Sequence, residues 1–366
     1  MLSVIKIHFN AEGAEVFAKV AEESCLCVSL RRPQRPLRLI ANPGMNAPAE
    51  RKGRSVIKNN PSTSLSRALL LALCLFWFAT AETQASYQHH QVAGATLPQN
   101  QAALVEKDIT IYGSRIHYAE AGSGPTLILL HGLGGSWQNW MFNIDSLAAK
   151  FHIFAPDQLG FGKSDKPMIN YRIGTYVDFL DQFCKQLKIQ RASLMGVSMG
   201  GWVAAAYTIA HPEKVERMVL VDAAGYAPPP SFDNRTLYEL NPSTREGMKQ
   251  LSKRVFYNQA LFGTDAAIDQ GLTFRINAGD GYTINSVVAS IIRGEDFLDT
   301  RVKNINQPTL IVWGRQDGLL PLSDGERFKR EIANSNLIVF EQCGHVPNIE
   351  KAAEFNTAAL KFLTGQ

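Results

Sequence analysis

Residues 192–201 read Ala192-Ser193-Leu194-Met195-Gly196-Val197-Ser198-Met199-Gly200-Gly201. The first six form an apolar run of the kind buried on both faces of a sheet, and residues 199–210 continue with alanines and larger apolar groups at helical spacing. G-x-S-x-G between a strand and a helix predicts a tight elbow. Its serine is forced into strained φ/ψ, while small residues two positions to either side let the two backbones pass without collision. Ser198 then projects at a helix N-terminus, where free amides and the helix dipole favour developing negative charge.

The same texture recurs outward from this elbow. Apolar runs at 126–130, 151–155, 215–221, 309–313 and 336–340 read as further buried strands. Helical spacing marks 137–150, 175–187, 323–332 and 346–363. Strand and helix in alternation predict an α/β fold, a parallel sheet flanked by helices on both faces. Ahead of it, 109–112 and 115–120 alternate across Gly113-Ser114, a hairpin signal. One interval breaks the rhythm: between Asp222 and Gln307 no strong strand occurs, and candidate helices at 243–257 and 284–293 follow Pro228-Pro229-Pro230. An insertion of about eighty residues is too long for a plain loop, so residues 226–304 are expected to form a helical lid over the carboxyl edge of the sheet, inserted into a core of 108–225 and 305–366.

The chain has 366 residues, 45% apolar and 19% charged, enough for a sizeable buried core and too mixed for a disordered chain. Residues 1–85 hold 11 Lys/Arg against 6 Glu and the remainder 26 against 27, so the body is near neutral. That excludes the dense basic field a nucleic-acid binder needs. Residues 68–79, ALLLALCLFWFA, rise about 18 Å as a helix, short of a bilayer core of about 30 Å. Basic residues precede this run, and the small-residue patterns Ala79-Thr80-Ala81 and Thr83-Gln84-Ala85 follow it, so 65–85 reads as an export signal. The alternative is a membrane anchor formed by 68–79. Residues 1–64 read as an N-terminal extension arising from a misassigned start, and 86–107 as a polar linker. Of five cysteines only Cys184 and Cys343 lie in the body, which is no disulfide framework; both read as buried small apolar groups.

A hydroxyl attacks poorly at neutral pH unless a base takes its proton and a third group holds that base in one tautomer. Among eight histidines, His345, in Gly344-His345 after the last strand, stands where a Ser, Asp, His chain order requires the base. Asp317 and Asp222 both follow strands. Asp317 is favoured as the acid because a short loop lets it reach around toward the base. Asp157 and Asp165 read as turn residues. Attack by Ser198 on a carbonyl creates an oxyanion, for which the chain offers the amides of Met199 and of Leu133, the latter in His131-Gly132-Leu133-Gly134-Gly135. Gly132 permits close approach of a ligand, and Trp202 is a candidate wall of the acyl pocket, as are Trp137 and Trp140, although core packing is the commoner fate of such aromatics.

Taken in order, HGLGG (131–135), PDQLGFGKSDKP (156–167), GVSMGG (196–201), VLVDAAG (219–225), WGRQDGLLP (313–321) and GHVPNIE (344–350) resemble the α/β-hydrolase superfamily over roughly residues 115–364. The resemblance implies a mostly parallel eight-stranded sheet that opens with an antiparallel hairpin and carries its lid after the sixth strand. It also implies Ser198 as nucleophile, Asp317 as acid, His345 as base, Leu133 and Met199 amides as oxyanion hole, and hydrolysis through an acyl-enzyme with no metal or organic cofactor. Relatives that carry Asp at the elbow, the haloalkane dehalogenases and epoxide hydrolases, are argued against by Ser198. The meta-cleavage-product hydrolases, which cut carbon–carbon bonds, share the Ser elbow with Met-Gly-Gly and W-G-R-x-D. This chain departs from them at Val197, Gly318 and Val346, so an esterase or lipase-like enzyme acting on a small acyl substrate is the expectation. The alternatives are carbon–carbon bond hydrolysis and a non-catalytic binding scaffold. A lipid surface would meet the chain through its lid.

Overall fold

The computed structural model describes residues 104–366. The expected extension 1–64, the export signal 65–85 and the linker up to residue 103 lie outside the described residues. The polar stretch ends earlier than its sequence suggests, because the first strand, β1 (Val105–Ile111), already pairs antiparallel with β2 (Ser114–Ala121). Tyr112 at φ 50° and Gly113 at φ 78° form the turn, the two left-handed residues that a two-residue hairpin loop of the right twist demands.

Six further strands follow: β3 (Thr126–Leu130), β4 (His152–Pro156), β5 (Ala192–Val197), β6 (Val215–Val221), β7 (Thr309–Gly314) and β8 (Ser335–Phe340). They complete a mixed, mostly parallel eight-stranded sheet in the order β1-β2-β4-β3-β5-β6-β7-β8. Only the β1–β2 and β2–β4 pairings are antiparallel. Every residue of β5 and of β7 is buried, which is why these segments read as unbroken apolar runs rather than alternating ones.

Helices α1 (Met141–Ala148), α2 (Ile173–Gln186) and α3 (Met199–Ala210) connect the first strands. The lid between β6 and β7 opens with a 3-10 turn at Asn234–Leu240 and continues as α4 (Arg245–Val255), α5 (Gln259–Phe262), α6 (Asp265–Ala278) and α7 (Gly281–Ile292). Then come α8 (Leu322–Glu331), α9 (Pro347–Glu350) and α10 (Ala352–Leu363). Two expected helices are each divided. Residues 137–150 begin as a 3-10 turn, Trp137–Trp140, and the stretch 346–363 breaks at Lys351, whose φ of −128° is not helical.

The sheet has a core on each face. One gathers Tyr176, Phe183, Val203 and Phe328; the other gathers Trp140, Leu147, Phe355 and Ala359. Trp137 and Trp140 sit in the second core. Cys184 and Cys343 are free buried thiols, the former pushed up to about 11 by burial. Asp157 ties down the turn its sequence suggested: Oδ1 accepts from Trp137 N at 2.7 Å and Oδ2 from Lys163 N at 2.7 Å. Asp165 does the same for the hairpin, accepting from Arg115 N at 2.7 Å. No helix among the described residues is long and apolar enough to cross a membrane.

Candidate active site

β5 ends at Val197 and α3 begins at Met199, so one residue makes the whole reversal. Ser198 holds φ 55° and ψ −121°, a strained conformation for any residue with a Cβ. Its backbone is fully engaged: N–H donates to Val221 O at 2.9 Å, and the carbonyl accepts from Trp202 N at 3.2 Å and Ala224 N at 3.1 Å. The flanking glycines are dictated by crowding. A Cβ on Gly196 would lie 2.2 Å from Gly200 O, and one on Gly200 would lie 2.1 Å from Leu130 O.

Beside the elbow runs the loop that leaves β3, held by a buried histidine. His131 Nδ1–H donates to Gly132 O at 2.7 Å, and Nε2 accepts from Gln158 N at 3.0 Å. The second bond needs the neutral ring, since Nε2 must keep its lone pair, and burial pushes the pKa down to about 4. Since an unfolded histidine titrates near 6.5, this ring contributes stability that is present above about pH 6.5 and lost as pH falls through about 4, worth up to about 3 kcal/mol. Asp157, pushed up to about 6 by burial, acts in the opposite sense, favouring the fold at low pH. Comparing wild type with His131→Gln cancels the Asp157 contribution. Their difference in urea-derived stability is expected to shrink by about 3 kcal/mol between about pH 7 and pH 4; a constant difference contradicts this account.

Ser198, Met199, Gly132, Leu133, Trp202 and His345 all line one cavity of about 500 Å³ roofed by the lid. No other described residue accepts a hydrogen bond from the Leu133 or Met199 amide. Trp202 stacks on Phe297 at 5.2 Å and donates to Asp296 O at 3.1 Å, so it is a fixed wall. Asp317 stands behind the cavity. Its Oδ2 lies 2.7 Å from His345 Nδ1, and its Oδ1 accepts from Leu319 N at 2.7 Å and Leu320 N at 3.1 Å. Asp222, the other carboxylate weighed from sequence, is fully buried at the end of β6 and joins the same cluster: one side-chain donor atom each from Asp222, Asp317 and His345 lies within 4.8 Å of the others. Burial, and then the neighbouring Asp317 charge, raise Asp222 well above the usual carboxylate range.

Several residues that shape the site carry no local signal in the chain. The end of α4 grips the loops that carry Asp317 and His345, because Arg254 O accepts from Gly318 N at 3.0 Å and Val255 O from His345 N at 2.7 Å. A Cβ on Gly318 would come within 2.8 Å of Arg254 O, which accounts for glycine after Asp317. Glu350 adds a clamp, accepting from Gly344 N at 2.7 Å, Asn258 N at 2.9 Å and Tyr257 N at 3.0 Å. On the lid, Arg275 and Asp280 form a buried pair at 2.5 Å, and Arg275 also donates to Gly134 O at 3.3 Å.

With this sheet, elbow and lid, the chain belongs to the alpha/beta hydrolase fold family, whose model matches residues 125–352. It is similar to the 2-hydroxymuconate semialdehyde hydrolase of Pseudomonas sp. strain CF600, 31% identical over 277 residues, 73% of this chain and 96% of that one. It is likewise similar to the 2-hydroxy-6-oxo-6-phenylhexa-2,4-dienoate hydrolase of Comamonas testosteroni, 33% identical over 72% of this chain and 95% of that one. Among solved structures it resembles a membrane phospholipase A with a TM-score of 0.66 and 29% identity, over 82% of this chain and 97% of that one.

Proposed function

We propose that the chain is a serine hydrolase that cleaves a carboxylic ester with an apolar acyl group through an acyl-enzyme. In this reading Ser198 Oγ attacks the carbonyl carbon while His345 takes its proton at Nε2. Asp317 holds the Nδ1–H, which keeps the imidazole in the required tautomer and stabilises its charged form. The Leu133 and Met199 amides receive the oxyanion, an interaction whose individual donors are worth about 2.7–4 kcal/mol of barrier. Collapse expels the alkoxide, which takes the proton from His345. A water deprotonated by His345 then attacks the acyl-enzyme, releasing the carboxylic acid and restoring Ser198.

One observation favours an ester over an acidic substrate. The cavity wall is largely apolar, with Phe142, Leu237, Leu251, Phe274, Val287 and Ile291 among its residues, and both arginines on it are already paired. Arg275 is bound bidentately by Asp280, and Arg254 lies 3.2 Å from Glu239. A substrate carboxylate would enter without a free cation to meet it, at a cost of several kcal/mol.

The second reading, hydrolysis of a carbon–carbon bond in a vinylogous diketone acid, is favoured by the names of the relatives and by Arg275 Nε, a buried donor with no acceptor. Measuring kcat/KM for p-nitrophenyl esters of graded acyl length beside a 2-hydroxy-6-oxo-dienoate separates the two. The expected result is a preference of at least about tenfold for an ester, equivalent to about 1.4 kcal/mol of transition-state binding; the reverse preference ends the ester assignment.

A further inference from the structure

We propose that Asp222 is a second, uncharged acid behind the site: it keeps its proton, donates it from Oδ2 to Asp317, and so positions the Asp317–His345 pair. The inference rests on the proposed use of His345 as base, and its grounds are geometric. Two buried carboxylates with oxygens within 4.8 Å of each other resist ionising together, and the proton stays where fewer donors stabilise the charge. Asp317 receives N–H groups from Leu319, Leu320 and His345. Asp222 receives one, from Gly314 at 3.0 Å on Oδ1, while its buried Oδ2 has no donor. A neutral Asp222 resolves this mismatch, because its hydroxyl becomes a donor beside the Asp317 carboxylate, with one oxygen of each residue within 4.8 Å of the other.

The backbone holds this side chain in place: Asp222 sits at φ 39°, a left-handed value that aspartate adopts more readily than most residues, and its N–H is fixed to Val312 O at 2.9 Å. The other titratable groups around the cluster are Glu350, which disfavours charge on Asp222, and Cys343, a thiol that burial keeps protonated, with Lys351 and Asp324 beyond them.

Two variants and a spectrum test this. In Asp222→Ala, Asp317 loses a donor and holds the imidazolium more tightly. The acidic limb of kcat/KM against pH then moves up by about half to one unit, and kcat falls roughly tenfold. Asp222→Asn supplies an N–H in place of the O–H and is neutral like the acid it replaces, so it restores the limb and most of the lost rate. A limb displaced downward by about one unit in Asp222→Asn means that a negative charge was removed, and overturns the proposal. A loss of rate in Asp222→Ala with the limb unmoved assigns Asp222 a structural role only, and overturns it equally. Infrared spectroscopy at about pH 8, where exposed carboxyls are ionised, is expected to detect a protonated carboxylic acid in the wild type that Asp222→Asn lacks; absence of that band refutes the proposal. The band does not depend on turnover, so it decides the matter even if Asp222→Ala fails to fold. A failed nucleophile assignment, read from Ser198→Ala, would leave the infrared result standing.

Discussion

Ser198→Ala is expected to reduce ester hydrolysis by about four to six orders of magnitude while leaving the fold intact. On the proposed mechanism the size follows from removing the atom that forms the acyl bond. Where nucleophile and base act as a unit, loss of either forfeits nearly their whole joint contribution, and the residual rate comes from binding and the oxyanion donors. The fold is spared because the contacts anchoring this residue are made by its backbone, to Val221, Trp202 and Ala224. Alanine inherits the same φ of 55°, so the strain is unchanged. Release of p-nitrophenol, followed beside a thermal melt, measures both effects. Activity within tenfold of the wild type would remove Ser198 from the chemistry. A wild-type chain inert toward esters and dienoates alike would favour the non-catalytic scaffold.

The largest effect on stability is expected from Gly200→Ala, a change of one methyl group. The added Cβ would lie 2.1 Å from Leu130 O and 2.6 Å from His131 O. Both are backbone atoms, one at the end of a central strand and the other in the loop that offers the Leu133 amide, so neither can turn aside as a side chain would. Relief requires α3 to move off the sheet, breaking well-packed contacts along its buried face. The expected cost is about 3–5 kcal/mol, a large share of a typical total of about 5–15, with a melting temperature lowered by roughly 10 °C. The same displacement tilts Ser198, so kcat falls as well. Urea unfolding and a thermal scan test this; a melting temperature within about 2 °C of the wild type would show that the elbow tolerates a Cβ and that the backbones pass less closely than described.

Legibility in the chain follows how local the determining physics is. β5, β6 and α3 begin and end where apolar patterning places them, because strands buried on both faces leave long apolar runs and the G-x-S-x-G elbow marks its own boundary. The lid was legible only in part. α4 and α7 have recognisable spacing, whereas α6 buries only Ile268 and Gly271 and so presents a mixed pattern, with Thr264 as its cap and Gly279 as its stop. The break at Lys351 was not legible either, since the apolar positions on either side remain compatible with one helix.

By itself the chain determined the order of elements, the elbow and the short set of side chains with the right chemistry, since each depends on neighbours a few positions away. The chain favoured Asp317 over Asp222 as the partner of His345; only the tertiary structure showed that both stand beside it. β6 and β7 are adjacent in the sheet, so Asp317, the carboxylate favoured from sequence, and Asp222, the one set second, arrive at one buried point together; Asp317 accepts from the imidazole and Asp222 stands beside it. It also decided that the cavity arginines are paired and that the end of α4 grips the Asp317 and His345 loops. These are encounters between segments remote along the chain, governed by how strands order in a sheet and where a lid comes to rest, and local periodicity carries no record of them.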